Sequence, residues 1–262
     1  MTPDKLKKYK AFFADHIARF NTDDPFIAAN LKLKEVHTQK VCDETDYLTD
    51  ALDLPETDRL IASAIALFHD ISRFEQFYNH RTFADAKTFP HSIRSADILT
   101  ETGILADLPA DQQQIIDTAV RCHGQKSLPA DLDERTLLFC RLIRDADKID
   151  IYRVVLKNYR EYHDCPEGFV MDIPEPHSHH ASPHVIRAVL DKQPTDYASL
   201  RTVTDVKLLQ LGWIFDLNFS ASLARLHSRG QITELLSLLP DDPELKPVHN
   251  LITNHLKTHL PT

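Results

Sequence analysis

Glycine is the residue whose scarcity most constrains this chain. Only 5 occur among 262 positions, where average usage near 7% would give roughly 18. Tight hairpins, glycine-rich phosphate loops and nucleophile elbows all need residues without a Cβ at set positions. No G-x-G-x-x-G, G-x-x-x-x-G-K or G-x-S-x-G occurs. Kinase, Rossmann, P-loop and α/β-hydrolase architectures are therefore excluded.

Apolar residues recur instead at helical spacing. Phe12, Phe13, Ile17 and Phe20 mark one helix; Leu31, Val36, Val41, Leu48 and Leu52 mark a second, long one from about Pro25. Leu60, Ile61, Ala64, Ile65 and Phe68 form a third that runs into His69. Its nearly unbroken apolar and small residues from Asp58 to Phe68 predict a central, buried helix. Further helices are predicted over about 91–101, 111–122 and 134–162, separated by Pro90, Gly103, Pro109, Gly124 and Pro129. From Cys165 to Pro183, four prolines and the histidines His177, His179 and His180, with His184 just beyond, read as a flexible loop or a lid in preference to a metal site. Helical patterning resumes over 185–190, 205–226, 232–239 and 247–260. No segment alternates with period two, so the expected fold is all-α. We expect one domain over 1–262, with a core at 25–160 and a helical C-terminal extension at 184–262 packed on it.

With 42% hydrophobic and 26% charged residues the composition is that of an ordinary globular protein. The net charge of -9 offers no electrostatic case for nucleic acid or an anionic membrane surface. No apolar run approaches the ~20 residues of a membrane span, and the charged stretch Met1 to Lys10 lacks a signal-peptide pattern; a cytoplasmic protein is expected. Cys42, Cys122, Cys140 and Cys165 are scattered without a C-x-x-C pair, which predicts reduced, mostly buried thiols.

The chemistry centres on His69-Asp70. An imidazole and a carboxylate at the inner end of a core helix are expensive to bury unpaired, and a metal ion removes that cost. These donors suit Mn, Fe, Zn or Mg over soft, thiolate-binding ions. His37 shares a helix face with Val41 and Leu48 and points to the core. His91 opens a helix after Pro90, His123 closes another before Gly124, and Asp147 lies in an apolar-flanked stretch. A histidine at a helix end also serves as a cap or faces solvent. Four imidazoles and two carboxylates are enough for two ions sharing one carboxylate, with positions open for water. Arg73, three residues past Asp70 on a continuing helix, is a candidate phosphate ligand, the alternative being a surface ion pair with Glu75 or Asp97. Lys148 is a weaker candidate cation, and Asp150 is either a partner of a ligand or a solvated charge. Phe74, Phe77 and Tyr78 are core or a stacking wall.

The ordered set His37, His69-Asp70 within Ala66-Leu67-Phe68-His69-Asp70-Ile71, and Asp147 within Arg144-Asp145-Ala146-Asp147-Lys148-Ile149-Asp150 resembles the HD-domain superfamily of metal-dependent phosphohydrolases. The resemblance covers about 25–160. It implies an all-α core in which His37, His69, Asp70 and Asp147 bind metal, and His91 and His123 match the extra histidines of two-metal branches. It further implies hydrolysis of a nucleotide or other small phosphorylated metabolite by metal-activated water, using one or two divalent ions. Asp70 would orient the water, and Arg73, with Lys148 as the next cation, would hold the phosphate. No G-Y-P signature follows, and Ile71-Ser72-Arg73-Phe74-Glu75 stands where guanosine tetraphosphate hydrolases carry a Glu-Asp pair. The same donors also resemble those of HD-fold di-iron oxygenases, and a non-catalytic nucleotide-binding module is the third reading. The last hundred residues resemble nothing assignable, and no oligomeric state is implied.

Overall fold

The computed structural model describes residues 1–164, 173–175 and 177–260, the last three of the 1–164 stretch by backbone alone. Residues 165–172 and 176, which include Cys165, lie outside the described residues. Among the described residues the fold is all-α: no strand forms, and a single isolated bridge pairs Glu175 with Thr202. No described helix is long and apolar enough to cross a membrane. Cys42, Cys122 and Cys140 are free, the last two buried.

The chain divides into two compact units, Met1–Asp150 and Ile151–Thr262. The first holds α1 (Pro3–Ala18), α2 (Pro25–Ala51), α3 (Glu56–Phe68), α4 (Ser72–His80), α5 (His91–Thr102), α6 (Ala110–Cys122) and the first half of α7 (Glu134–Asp164). Helix starts follow the expected punctuation. The Asp24 carboxylate accepts the backbone N–H groups of Phe26 and Ile27 with Pro25 at the first turn of α2. Gly103, at φ 60°, ends α5 in the left-handed conformation that a Cβ would strain. As expected, α3 is central. It packs against α1, α2 and α6, its small Ala62, Ala64 and Ala66 fully enclosed beside Ile61, Ile65 and Phe68. The Phe68 ring meets those of Tyr9 and Phe12 at 5.5 and 6.1 Å.

One expectation is corrected here. The helix does not continue from the doublet to Arg73: α3 ends at Phe68, and a separate α4 begins at Ser72. Across the junction the N–H groups of Ile71 and Arg73 bond the carbonyls three residues back, Phe68 and Asp70, at 3.2 and 2.9 Å, a tighter winding than the α-helix. The start of α4 is tied to α5, with the Ser72 hydroxyl donating to the His91 carbonyl at 2.8 Å.

The second unit holds the rest of α7 with α8 (Pro183–Leu190), α9 (Val203–Gly212), α10 (Ser220–Ser228), α11 (Gln231–Ser237) and α12 (Lys246–His259). The single helical run expected over 205–226 is broken in three. After Gly212 the chain tightens into a 3-10 turn, Trp213–Asp216. It is extended at Leu217 and Phe219 and restarts at Ser220. Asp216, Asn218 and Ser220 are residues whose side chains compete for backbone groups, and the Asn218 amide donates to the Asp216 carbonyl at 3.3 Å.

Asp205 organises this unit. Its buried carboxylate accepts the Ser182 N–H and hydroxyl, both at 2.7 Å, and the N–H groups of Arg201 and Thr202 at 3.0 and 3.3 Å. Thr202 and Thr204 in turn donate to the carbonyls of His180 and His179 at 2.7 and 2.9 Å, so the described end of the histidine segment is held by its backbone. No metal-sized group of three ligand atoms forms among its described histidines. Asp205→Ala leaves four donors unpaired at once and is expected to cost about 3 kcal/mol, read as a lower urea midpoint of the full chain.

Candidate metal centre

Six side chains converge from five places in the first unit: His37 on α2, His69 and Asp70 at the α3–α4 junction, His91 at the first position of α5, His123 just past α6, and Asp147 on α7. His37, His69, Asp70 and His123 are buried, and the His91 and Asp147 side chains are 12% and 19% exposed. Asp70 is the centre. Its Oδ2 lies 3.6 Å from Nε2 of both His37 and His69, and its Oδ1 lies 3.5 and 3.7 Å from Nε2 of His91 and His123. Two groups of metal-sized spacing result, His37–His69–Asp70 and Asp70–His91–His123, joined through one carboxylate. Asp147 flanks the first, its Oδ1 3.1 Å from His37 Nε2 and 3.9 Å from His69 Nε2.

The tautomers follow from the neighbours. His69 Nδ1 faces the Ala66 carbonyl and His123 Nδ1 the Val120 carbonyl, each at 2.7 Å; a carbonyl only accepts, so both Nδ1 atoms carry the proton. His37 Nδ1 faces Asp150 at 2.7 Å and His91 Nδ1 faces Asp85 at 2.6 Å, which places their protons in the same way. All four rings thus turn a bare Nε2 lone pair inward, the arrangement by which outer partners orient metal-binding histidines. Nε2 of His37 and of His69 is buried without a hydrogen-bond partner. Nε2 of His91 and of His123 face each other at 3.1 Å, lone pair to lone pair. A divalent cation satisfies all four atoms, so the residues present fit a metal.

Titration behaviour agrees. Burial lowers the His69 pKa to about 4 and also lowers that of His91, keeping both rings neutral. Burial pushes the Asp70 carboxyl upward, but the Lys34 ammonium, His69, His123 and Arg73 outweigh it and hold it well below the usual carboxylate range. For His37, burial and Lys34 act downward, yet Asp147 and Asp150 prevail and raise it.

Around the ligands stand groups that sequence reasoning left out. Lys34 Nζ is 2.8 Å from Asp70 Oδ2 and lies over the Phe83 ring at 5.2 Å. Its place three residues before His37, on the same helix face, is a signal that could have found it. Asp85 has none, since only a 3-10 turn, Asp85–Lys87, carries it to His91. Arg73 is not the surface ion pair of the alternative reading. Glu75 pairs with Arg94 and Asp97 with Arg121 instead, while Arg73 Nε points to Asp70 Oδ1 at 3.5 Å and is buried without a hydrogen bond. Lys148 is half-buried beside Asp147 on α7; the ammonium on Asp70 is that of Lys34. Asp150 is the buried partner of His37 and not a solvated charge. Phe74 and Phe77 are core, and Tyr78 is 39% exposed.

A helical unit that gathers imidazoles and carboxylates around a His-Asp doublet in this order defines a metal-binding site of the kind found in metal-dependent hydrolases. Residues 35–152 match the family model of the HD domain. No curated protein and no solved structure matches the chain.

Gly124 shows how closely the second group is built. A Cβ there would stand 2.9 Å from His91 Cε1, 3.2 Å from its Nε2 and 3.2 Å from Ser92 Oγ. Gly124→Ala is expected to displace the ring and weaken metal binding at the His91–His123 group about 10-fold or more, measured by Mn²⁺ titration of metal-free protein.

Proposed function

We propose that this HD-domain protein is a metal-dependent phosphohydrolase acting on a nucleotide or another small phosphate ester. The observation that carries the reading is Asp70, one carboxylate with an oxygen turned to each of two ligand groups. Two-metal phosphoryl-transfer sites share a bridge of this kind. Mn, Fe, Zn or Mg fit the donors, with His37, His69, Asp70 and Asp147 holding one ion and Asp70, His91 and His123 the other. When bound, such ions supply water activated near neutral pH and neutralise charge on phosphoryl oxygens.

The charge balance supports a phosphate. Asp70, Asp85, Asp147 and Asp150 concentrate carboxylates at the cluster, where Lys34 and Arg73 lie against Asp70. Two divalent ions would add four positive charges there, so a loaded site would attract an anion. The chain's own residues then divide the work. Asp70 orients the nucleophilic water between its two oxygens. Arg73 presents a planar fork whose Nη1 is anchored by Gln76, Phe83 and Asp85 at 2.6, 2.6 and 2.9 Å, leaving the rest of the guanidinium toward the centre to hold phosphoryl oxygens. Lys34 holds the ester from the other side, and Lys148 is the next cation to test.

Asp70→Ala is expected to lose bound metal and turnover together, with wild-type metal content in pure variant protein sinking the assignment. Metal analysis of the purified chain, followed by phosphate release and O₂ uptake on a substrate panel, separates hydrolase from oxygenase and from a binding module. Arg73→Lys keeps the charge and loses the fork. It should lower kcat by roughly 10- to 1000-fold with metal content unchanged, and a change confined to KM would assign the residue to ground-state binding.

A further inference from the structure

Asp85 lies outside the ligand set, yet both of its oxygens are committed to the centre. Oδ2 accepts the His91 ring Nδ1–H at 2.6 Å and the His91 backbone N–H at 3.3 Å. Oδ1 accepts Arg73 Nη1 at 2.9 Å and Gln76 Nε2 at 3.1 Å. We infer that Asp85 is a positioning residue that sets the tautomer of His91 and the aim of Arg73 together, so that the second ion's site and the phosphate-binding cation depend on one carboxylate. The inference rests on the two-ion reading above.

Geometry separates this role from that of Asp150. Asp150 serves His37 from a buried place on α7, a long helix. Asp85 stands on a three-residue 3-10 turn, its side chain 37% exposed, and is kept in place by the groups it orients. Gln76, fully buried, anchors the same turn by donating to Thr88 Oγ1 at 2.7 Å and to the Phe89 carbonyl at 3.2 Å. The turn is thus held by α4, through Arg73 and Gln76, and by the first residue of α5. A carboxylate accepts from both sides. An amide at this position would accept from one side and donate to the other, and donation to His91 Nδ1 drives the ring proton to Nε2, where it blocks the ion.

The test compares Asp85→Asn, Asp85→Glu and Gln76→Ala in the full chain, titrated with Mn²⁺ after metal removal and examined by ¹⁵N NMR of the histidine rings. Asp85→Asn is expected to retain the first ion, weaken the second about 10- to 100-fold, and move the His91 proton to Nε2. Asp85→Glu should restore part of the second ion's affinity. Gln76→Ala, which loosens the turn without touching the His91 ring, should leave both ions near wild-type affinity. Wild-type binding of both ions by Asp85→Asn would overturn the inference, as would an equal loss in Gln76→Ala, which would mean that the turn alone matters. A wild-type chain that binds one ion overturns the inference too, while phosphate release from a substrate would leave the hydrolase reading standing.

Discussion

The arrangement depends on burying Asp70 with both oxygens facing imidazole nitrogens that have no protons to give. Inside a protein an unpaired lone pair or charge costs several kcal/mol. Here the cost is concentrated at one point and is met in part by Lys34 at Oδ2 and Arg73 at Oδ1. Cations placed between the nitrogens would meet the remainder. The core around it is built to hold this point still. Helix α3 is lined with alanines and closes on Phe68, and the winding tightens at the doublet so that His69 and Asp70 present their side chains from consecutive positions.

The outer partners show a division between rigid and adjustable support. His69 and His123 lean on carbonyls of their own preceding turns, three residues back, so these rings are oriented by local backbone and need nothing distant. His37 and His91 lean on carboxylates brought from elsewhere. Each ligand group therefore pairs one locally oriented ring with one whose orientation depends on tertiary structure. Arg144 adds to the second group from beneath, its buried guanidinium donating to the carbonyls of His123 and Gln125, which keeps the segment around Gly124 close to His91.

Much of this was legible in the sequence because it follows from local rules. Pro25, Pro90, Gly103 and Pro109 mark helix ends with one-residue accuracy, and the run before His69 is too apolar to be anything but central. The ligands were legible because a histidine or aspartate on an apolar face needs a reason to be there. What escaped depends on contacts that carry no period. Lys34 reaches Asp70 across 36 positions, and Asp85 reaches His91 through a turn without helical phase. The break after Gly212 was hidden by the density of apolar residues there, which mimics an unbroken helix face. Arg73 was placed at the site by assuming a helix that in fact stops. Its guanidinium still arrives, because the tight junction brings α4 back toward the doublet.

The ligands are drawn from positions 37 to 147, spread over nearly the whole first unit. No two of the six except His69 and Asp70 are neighbours in the chain, so an ion finds its full set of donors only after α2, α3, α5, α6 and α7 have assembled. Metal acts then as a stapling ligand of the native state. At a free concentration a hundredfold above its dissociation constant, one ion adds about 2.7 kcal/mol to unfolding by mass action. The persistence of this fold would in that sense be a function of metal supply.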